Sequence, residues 1–315
     1  MKRISICLAA AAICLADVSG VAARAQEVPA NYQEVLSILG KKGDYKANVL
    51  KVNIPRSDLK VTVDGVALPT SFGFGGWLAM TRGEGGNDVM MGDLVLLEEE
   101  VNPVMTALLQ NGLEVTALHN HFFFETPRIF YMHVHGMGKP ADLARKAKPA
   151  IDLIGKEPGR IGIPERPSAT SSSPAVTAGE FNTGALDQIV GHTGEKLAGG
   201  VYKYTVGRDD LKMKEMGAPI NARMGLNTWA AFFGSDDNAV VAGDVAMVEA
   251  EVQPVLRTLR MHNVNVVAIH LHMIGSRPMV IFLHYWGRGS AATLARAFRE
   301  TLDQLGAKSG RTAHR

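Results

Sequence analysis

The four residues Gly92-Asp93-Leu94-Val95 recur 151 positions later as Gly243-Asp244-Val245-Ala246, and this repetition decides the fold. Further pairs of residues lie at the same offset, namely Glu98 with Glu249, Glu100 with Glu251, His119 with His270, His121 with His272, and His133 with His284. Upstream the offset is 152, as for Trp77 and Trp229, which requires a one-residue insertion in a loop. So many matches at nearly one spacing indicate a duplicated domain.

The repeat sets the limits of two homologous domains, which we place at residues 30–155 and 181–306. Residues 156–180 between them are rich in Pro and Ser, a composition that predicts an extended or flexible linker. The polar residues 307–315 are interpreted as a tail. A chain of 315 residues is long enough for two ordinary domains.

Within each copy the hydrophobic period changes in a fixed order. We predict an α+β fold with a mostly antiparallel sheet and two helices per domain, in which short strands precede a β-α-β-β-α core. In the first copy the predicted strands are 49–55, 59–63, 76–81, 89–97, 113–121 and 128–135, and the predicted helices are 101–109 and 141–154. The pattern leaves open whether the two sheets pair or pack face to face.

The first 25 residues have the form of a secretory signal peptide. Lys2 and Arg3 give a positive start, residues 4–15 are a short apolar run, and Ala23-Arg24-Ala25 fits a signal-peptidase site. A lipoprotein signal is disfavoured because Ile13, and not a small residue, precedes Cys14. We therefore expect a periplasmic or secreted protein without a transmembrane segment.

Removal of the signal peptide changes the charge and the metal-ligand inventory. The signal peptide contains three of the 33 basic residues and one of the 31 acidic residues, so 30 of each remain after its removal. A neutral chain lacks the basic field of a nucleic-acid binder, so no nucleic-acid partner is expected. Both cysteines, Cys7 and Cys14, also lie in the signal, so a metal site in the remaining chain must use other residue types.

Seven of the ten histidines fall in two predicted β-hairpins. Residues i and i+2 of a strand project from the same face, so His119 and His121 are neighbours there. A hairpin centred on Thr126 places His133 directly opposite His119, and the second hairpin places His284 opposite His270. The candidate metal ligands are His119, His121, His133, His135, His270, His272 and His284.

Imidazoles that converge in this way suit Zn, Cu or Ni. Three polar side chains, Glu98, Glu125 and Arg128, are candidates to complete or orient a site for a metal or other cofactor. The alternative interpretation is that the histidines line one face of the sheet, bond to one another or to the backbone, and bind nothing. The other face of the strands is mostly apolar, so we expect the histidine face to point to solvent, a cleft or the other copy.

The two copies differ around the histidines. Copy two has Trp286, Met279 and Ser276 where copy one has His135, Arg128 and Glu125. Copy one keeps the richer polar set, so we expect it to carry the main site.

Other repeated residues are assigned structural roles. Asp93 and Asp244 each follow a Gly within a strand-like run, which favours a turn or bulge. The segments Arg56-Ser57-Asp58-Leu59 and Arg208-Asp209-Asp210-Leu211 predict a turn with a local ion pair. Trp77 and Trp229 are interpreted as core or domain-interface aromatics.

The chain resembles the LppY/LpqO family of exported bacterial tandem-domain proteins. The resemblance rests on segments 55–61 and 91–96 and on Ala117-Leu118-His119-Asn120-His121, continued through Pro127-Arg128 to His133. It covers nearly all of the chain after the signal peptide and implies the same fold and export, but no reaction. Copy two departs from the pattern at Leu271, which stands where copy one has Asn120.

Three functions follow as hypotheses. The first is an exported protein that binds a transition metal or small ligand through the histidine-rich hairpins. The second is an extracytoplasmic hydrolase or lyase that uses the same histidines as acid–base groups. The third is a cell-envelope interaction protein in which the histidines are structural.

Overall fold

The computed structural model describes residues 27–156 and 175–306. The predicted signal peptide, most of the predicted linker and the predicted tail therefore lie outside the described residues. Within the described residues, no helix is both long enough and apolar enough to cross a membrane.

The first domain alternates short helices with antiparallel strands. Its elements are α1 (Ala30–Leu39), β1 (Gly43–Lys46), β2 (Val49–Pro55), β3 (Val61–Val63), β4 (Val66–Leu68), β5 (Gly75–Arg82), β6 (Asp88–Leu97), α2 (Glu98–Gln110), β7 (Glu114–His119), β8 (Glu125–Thr126), β9 (Ile129–Gly138) and α3 (Pro140–Ile151). Short 3-10 turns lie at Thr70–Phe72 and Glu84–Gly86.

The second domain repeats this order. Its elements are α4 (Thr183–Val190), β10 (Glu195–Leu197), β11 (Val201–Gly207), β12 (Lys214–Glu215), β13 (Ala218–Pro219), β14 (Asn227–Gly234), β15 (Ala239–Met247), α5 (Glu249–Met261), β16 (Asn265–Leu271), β17 (Ile281–Gly289) and α6 (Ala291–Leu302), with 3-10 turns at Ala198–Gly200 and Ala222–Met224.

Each domain is built on one six-stranded antiparallel sheet. The strand order is β1-β2-β5-β6-β9-β7 in the first domain and β10-β11-β14-β15-β17-β16 in the second. This confirms the predicted α+β fold with two tandem homologous domains. The structure adds a helix before the predicted elements of each copy, α1 and α4.

The helices cover one face of each sheet. Alternate strand residues such as Leu50, Leu94 and Met132 pack against helix residues such as Val104 and Leu143, which form the first domain's own core. An equivalent core surrounds Phe232 and Phe298 in the second domain. Because side chains alternate between the faces of a strand, the residues between these positions must point the other way.

The two sheets pack face to face through their other faces, which answers the question that the sequence leaves open. One shared apolar cluster contains Phe72 and Phe122 of the first domain and Trp286 of the second, and the Phe72 and Trp286 rings lie 6.2 Å apart. A second shared cluster joins Met91 to Met224. Each large apolar side chain buried in this way contributes about 1.5–3 kcal/mol.

A buried ion-pair network closes each domain at the start of its second helix. The Arg56 guanidinium donates to Asp58 at 2.8 Å and to Glu100 at 2.6 Å. Glu100 also accepts from the backbone N–H groups of Leu97 and Gly155. The predicted ion pair in the segment 56–59 is thereby confirmed, and Glu100 is added to it. The second domain repeats the network with Arg208, Asp210, Glu251, Val248 and Gly306.

The prediction of a turn or bulge at Asp93 and Asp244 is wrong. Asp93 pairs in regular register with Trp77 on one side and His133 on the other. Asp244 likewise pairs with Trp229 and His284. The preceding glycines have a steric role, since a Cβ on Gly92 would lie 2.8 Å from the Trp77 carbonyl oxygen and one on Gly243 would lie 2.1 Å from that of Trp229.

Candidate metal centre

Six histidines meet between the two sheets and form what we call the histidine layer: His119, His121, His133, His270, His272 and His284. Three come from each domain. His133 and His284 lie in the middle of β9 and β17, whereas His119 and His270 lie near the ends of the edge strands β7 and β16. His121 and His272 follow just beyond those strands. The faces that carry them are the ones that the helices leave free.

The predicted cross-strand pairing is wrong by two residues. His119 lies opposite Tyr131, and Ala117 lies opposite His133. In the second domain His270 lies opposite Phe282, and Ala268 lies opposite His284. A shift of two residues keeps every side chain on its predicted face, so the imidazoles still converge, but diagonally. The Nε2 atoms of His119 and His133 are 3.0 Å apart.

The rings interleave across the domain interface as stacked pairs. The His119 and His270 ring centroids are 3.8 Å apart, those of His121 and His284 are 3.6 Å apart, and those of His133 and His272 are 3.9 Å apart. Each pair joins the two domains, and the last two pairs are equivalent under the repeat. The sequence suggests a separate site in each hairpin. In the structure the histidines of both hairpins instead form one shared layer.

An aromatic ring closes the layer at each end. Tyr131 stacks on His121 at 3.3 Å with an angle of 3° between the ring planes. Phe282 stacks on His272 at 3.3 Å with an angle of 8°. These two residues occupy equivalent positions in the repeat, so both ends of the layer are shielded in the same way.

Three groups of three histidines bring one nitrogen per ring within 4.8 Å of one another. In a tetrahedral zinc site with Zn–N bonds of about 2.0–2.1 Å, the nitrogens are roughly 3.4 Å apart, so only small side-chain movements separate these groups from metal-binding geometry. The groups are His119/His121/His284, His119/His133/His270 and His270/His272/His284. Any two of them share a histidine, so they offer alternative sites for one ion.

Burial keeps the histidine layer uncharged. The pKa of His119 is lowered to about 4 and that of His270 to about 2, mainly because burial removes the imidazoles from solvent. Burial also lowers the pKa of His121, His133 and His272 well below the usual value, and the neighbouring imidazoles lower it further. Neutral imidazole is the form that binds a metal.

Several buried ring nitrogens of the layer have no hydrogen-bond partner. They are both nitrogens of His121, both nitrogens of His270, and Nε2 of His272 and of His284. An unpaired buried polar atom costs about 1–3 kcal/mol, and few such atoms occur in a native protein without a reason. A bound metal would satisfy these nitrogens.

The backbone orients the two strand histidines. The Nδ1–H of His284 donates to the Gly243 carbonyl oxygen at 3.3 Å, and the Gly92 backbone, at the equivalent place in the repeat, raises the pKa of His133. Nε2 of His284 is left without a hydrogen-bond partner, whereas Nε2 of His133 contacts Nε2 of His119. Metal-binding histidines are commonly held by a hydrogen bond from the other ring nitrogen in this way.

The structure does not bring His135, the seventh candidate, into any of these groups. It lies on β9 two residues after His133, on the same face of the strand. Its side chain is fully buried, and its Nδ1 atom is 3.4 Å from Oε1 of Glu215 of the second domain. Its counterpart Trp286 is part of the shared apolar cluster.

Glu98, Glu125 and Arg128 lie outside the histidine layer. Glu98 is exposed at the first residue of α2, on the opposite face of the sheet from His133. Glu125 is half-buried in β8 beside Asn120, and burial raises its pKa. Arg128 is exposed, with its guanidinium 5.5 Å from the centre of the Phe130 ring. These three residues are close to the histidines along the chain but not in the folded structure.

The carboxylates that do reach the layer are those assigned to a turn. Asp244 Oδ2 is 3.8 Å from Nε2 of His272, and Oδ1 is 3.9 Å from Nδ1 of His284. Asp93 occupies the equivalent position beside His133. The Oδ1 atoms of both aspartates are buried without a hydrogen-bond partner. A sequence signal existed, because each Asp is kept in both copies beside a strand histidine.

Three solved structures of bacterial microcompartment shell proteins are similar to the chain at low level. The double-ringed trimeric shell protein MSM0271 is 14% identical, with 72% of this chain and 86% of that chain covered and a TM-score of 0.18. The trimeric shell protein PduB is 12% identical (82% and 88% covered, TM-score 0.20). EtuB from Clostridium kluyveri is 10% identical (84% and 90% covered, TM-score 0.20). At these TM-scores the likeness carries no argument about fold, assembly or function.

No curated protein sequence matches the chain significantly. A family model, however, matches it twice, over residues 33–153 and again over residues 184–304. The two matches fall on the two domains described above and together cover more than half of the chain. The chain therefore belongs to the family described as Domain of Unknown Function (DUF1259), and it contains two tandem copies of that family's domain.

Proposed function

We propose that this protein binds one transition-metal ion in the histidine layer, either as its cargo or as the anchor for a small ligand. The observation that carries the proposal is the convergence of six imidazoles from both domains, five buried and His270 partly buried, several with nitrogens that have no partner. Neutral imidazoles without cysteine favour Zn, Cu or Ni. The resemblance to the LppY/LpqO family and the form of residues 1–25 support a place in the periplasm or outside the cell.

Three single variants can identify which group of three histidines holds the ion. The variant His119→Ala leaves intact only the group His270/His272/His284, and His284→Ala leaves only His119/His133/His270. The variant His270→Ala leaves only His119/His121/His284. The single variant that keeps the affinity of the wild type therefore identifies the occupied group.

The first experiment is calorimetric titration of the untagged, EDTA-treated protein with Zn, Cu(II) and Ni. We expect about one ion per chain for at least one metal, and a loss of at least tenfold in affinity in His119→Ala/His270→Ala, which breaks all three groups. The matched control is His192→Ala, because His192 is exposed after α4 and far from the layer in the chain. Absence of binding by the wild type, or equal binding by the double variant, would remove the proposal.

One observation favours a second candidate, an extracytoplasmic hydrolase or lyase that uses the same histidines. Asp244 lies within 3.9 Å of His272 and His284, an arrangement that suits proton transfer between a carboxyl group and an imidazole. This candidate predicts turnover that Asp244→Asn abolishes while metal affinity is kept. The third hypothesis is a cell-envelope interaction protein with structural histidines. It is favoured if the histidine variants keep the stability, the metal binding and the turnover of the wild type.

A further inference from the structure

Two lysines, one from each domain, lie in the face-to-face interface away from the histidine layer. Lys51 on β2 and Lys203 on β11 are at equivalent positions of the repeat. Their strand neighbours Leu50, Val52, Tyr202 and Tyr204 pack into the helix-side cores. Alternation along the strands therefore points both lysines at the opposite sheet. Three strand spacings separate β2 from β9, so Lys51 is about 14 Å from the strand of His133.

Each lysine is held over the indole of the same domain. The Nζ atom of Lys51 is 4.6 Å from the centre of the Trp77 ring, and that of Lys203 is 4.2 Å from the centre of the Trp229 ring. The two tryptophans cross the interface reciprocally: a Cβ on Gly225 would lie 3.4 Å from the Trp77 ring, and one on Gly73 would lie 3.8 Å from the Trp229 ring. The indoles thus fix both ammonium groups between the domains.

Neither ammonium group has a hydrogen bond or an ion pair with any described residue; the indole face is its only specific contact. Both lysines are partly buried. The charge of Asp93 raises the pKa of Lys51 and that of Asp244 raises the pKa of Lys203, yet neither carboxylate forms an ion pair within 4.0 Å of a lysine Nζ. A charge taken out of water is costly unless it is paired.

The two lysines also repel each other. Burial is the main cause that lowers the pKa of Lys203 to about 8, and the like charge of Lys51 lowers it further. Burial and the charge of Arg223 lower the pKa of Lys51 to about 8. Arg223 is paired with Asp44 through Nη2, but its Nε is buried without a partner. Lys51 is therefore within electrostatic reach of Arg223, and Lys203 of Lys51, while the carboxylates of Asp44, Asp93, Glu195 and Asp244 offset part of this repulsion without pairing with either ammonium group.

From this arrangement we infer a second site: Lys51 and Lys203 together bind a small dianion, a phosphate or a dicarboxylate, between the two sheets. Facing sheets lie about 10 Å apart, so two lysines that extend from opposite sheets can reach one small anion. The anion would supply the acceptors that the ammonium groups lack and relieve their repulsion. The repeat keeps the Lys–Trp pair in both copies, although it does not keep His135. This inference does not rest on metal binding by the histidine layer.

Calorimetry at low salt on the untagged, EDTA-treated full chain tests the inference, with inorganic phosphate and succinate as separate probes. The variant Lys51→Met/Lys203→Met removes both charges and keeps the stems that pack on the indoles. Its control is Lys196→Met, because Lys196 is exposed on β10. We expect at least a tenfold weaker affinity in the double variant and no change in the control. The variant His119→Ala/His121→Ala is expected to bind the anion like the wild type.

Thermal unfolding gives an independent readout. In chloride buffer the double lysine variant is expected to be at least as stable as the wild type, because two unpaired charges are gone, and to lose the rise in Tm that the probe causes. Binding of phosphate alone assigns a phosphoryl ligand, and binding of succinate alone assigns a carboxylate. No binding of either probe by the wild type, or equal binding by the double variant, would overturn the inference.

Discussion

Replacement of His121 by leucine is expected to stabilise the metal-free protein and, where the ion occupies the group His119/His121/His284, to weaken its response to metal. His121 is buried, and both of its ring nitrogens lack a hydrogen-bond partner. Burial holds its pKa well below the usual value, so the ring is neutral at pH 7. Leucine has a similar volume and no polar atoms. The variant therefore removes two unsatisfied groups without a large cavity.

The magnitude follows from the contacts of the ring. Each unpaired polar atom costs about 1–3 kcal/mol, so their removal favours the folded state by about 2–6 kcal/mol. The stack of His121 on Tyr131, at 3.3 Å between centroids, is lost and costs about 0.5–1.5 kcal/mol. We therefore expect the free energy of unfolding in EDTA to rise by at least about 0.5 kcal/mol.

Urea unfolding followed by tryptophan fluorescence, in EDTA and in excess zinc, measures both effects. The wild type should gain about 4 kcal/mol when the free metal is about a thousandfold above Kd, and His121→Leu should gain clearly less when the ion occupies the group His119/His121/His284. The control His192→Leu alters an exposed histidine and should change neither value. A variant that is less stable than the wild type in EDTA by 1 kcal/mol or more would refute the reasoning, since the imidazole would then make favourable contacts in the metal-free fold.

Three further predictions follow from the described contacts. Burial lowers the pKa of the layer's histidines, for example that of His119 to about 4, so stability in EDTA should be complete above pH 6.5 and fall by about 1.4 kcal/mol per pH unit per histidine as the pH drops toward 4; a flat pH-stability profile over that range would contradict this. Glu100→Gln breaks the buried pair with Arg56 and should cost about 3 kcal/mol in urea unfolding, whereas the exposed Glu98→Gln should cost less than about 0.5 kcal/mol. Gly243→Ala places a Cβ 2.1 Å from a backbone oxygen and should lower the free energy of unfolding by about 1–3 kcal/mol; wild-type stability would show that the strand shifts freely.

The sequence predicts which face of each strand carries the histidines. It does not predict which residues lie opposite one another on the paired strands. His-x-His spacing assigns His119 and His121 to one face whatever the pairing. The pairing itself depends on the hairpin connection and on a register shift between Val115 and Ala117. The pattern of apolar residues cannot distinguish two pairing registers that differ by two residues, because every side chain stays on the same face of the sheet in both.

The joining of both domains' histidines in one layer is not visible in either hairpin alone. The sequence shows that the helix-free faces carry histidines, but several arrangements of two such faces satisfy the pattern. Trp286 gives a partial hint, since an apolar replacement of His135 predicts a buried face. The same limit hides the role of Lys51 and Lys203, because a lysine within a strand ordinarily indicates contact with solvent.

The additional helices are short, and only α4 has a side-chain cap, from Asn182. α1 has neither an acidic residue in its first turn nor a side-chain cap, and α4 is only 8 residues long. Packing of Val35 and Leu186 into the sheet cores stabilises them, as is usual for short helices. The strands 49–55 and 89–97, by contrast, are predicted within one residue of the observed β2 and β6, because their apolar runs are long and bounded by loop residues.

X-ray absorption spectroscopy at the zinc edge, on untagged protein loaded with one equivalent of zinc after EDTA treatment, tests the metal-centre account most directly. The account predicts three or more nitrogen ligands at about 2.0–2.1 Å with the outer-shell scattering of imidazole rings. The same spectrum from His119→Ala/His270→Ala, in which all three histidine groups are broken, should lose that imidazole signature. An oxygen-only first shell in the wild type, or identical spectra from the two proteins, would contradict it.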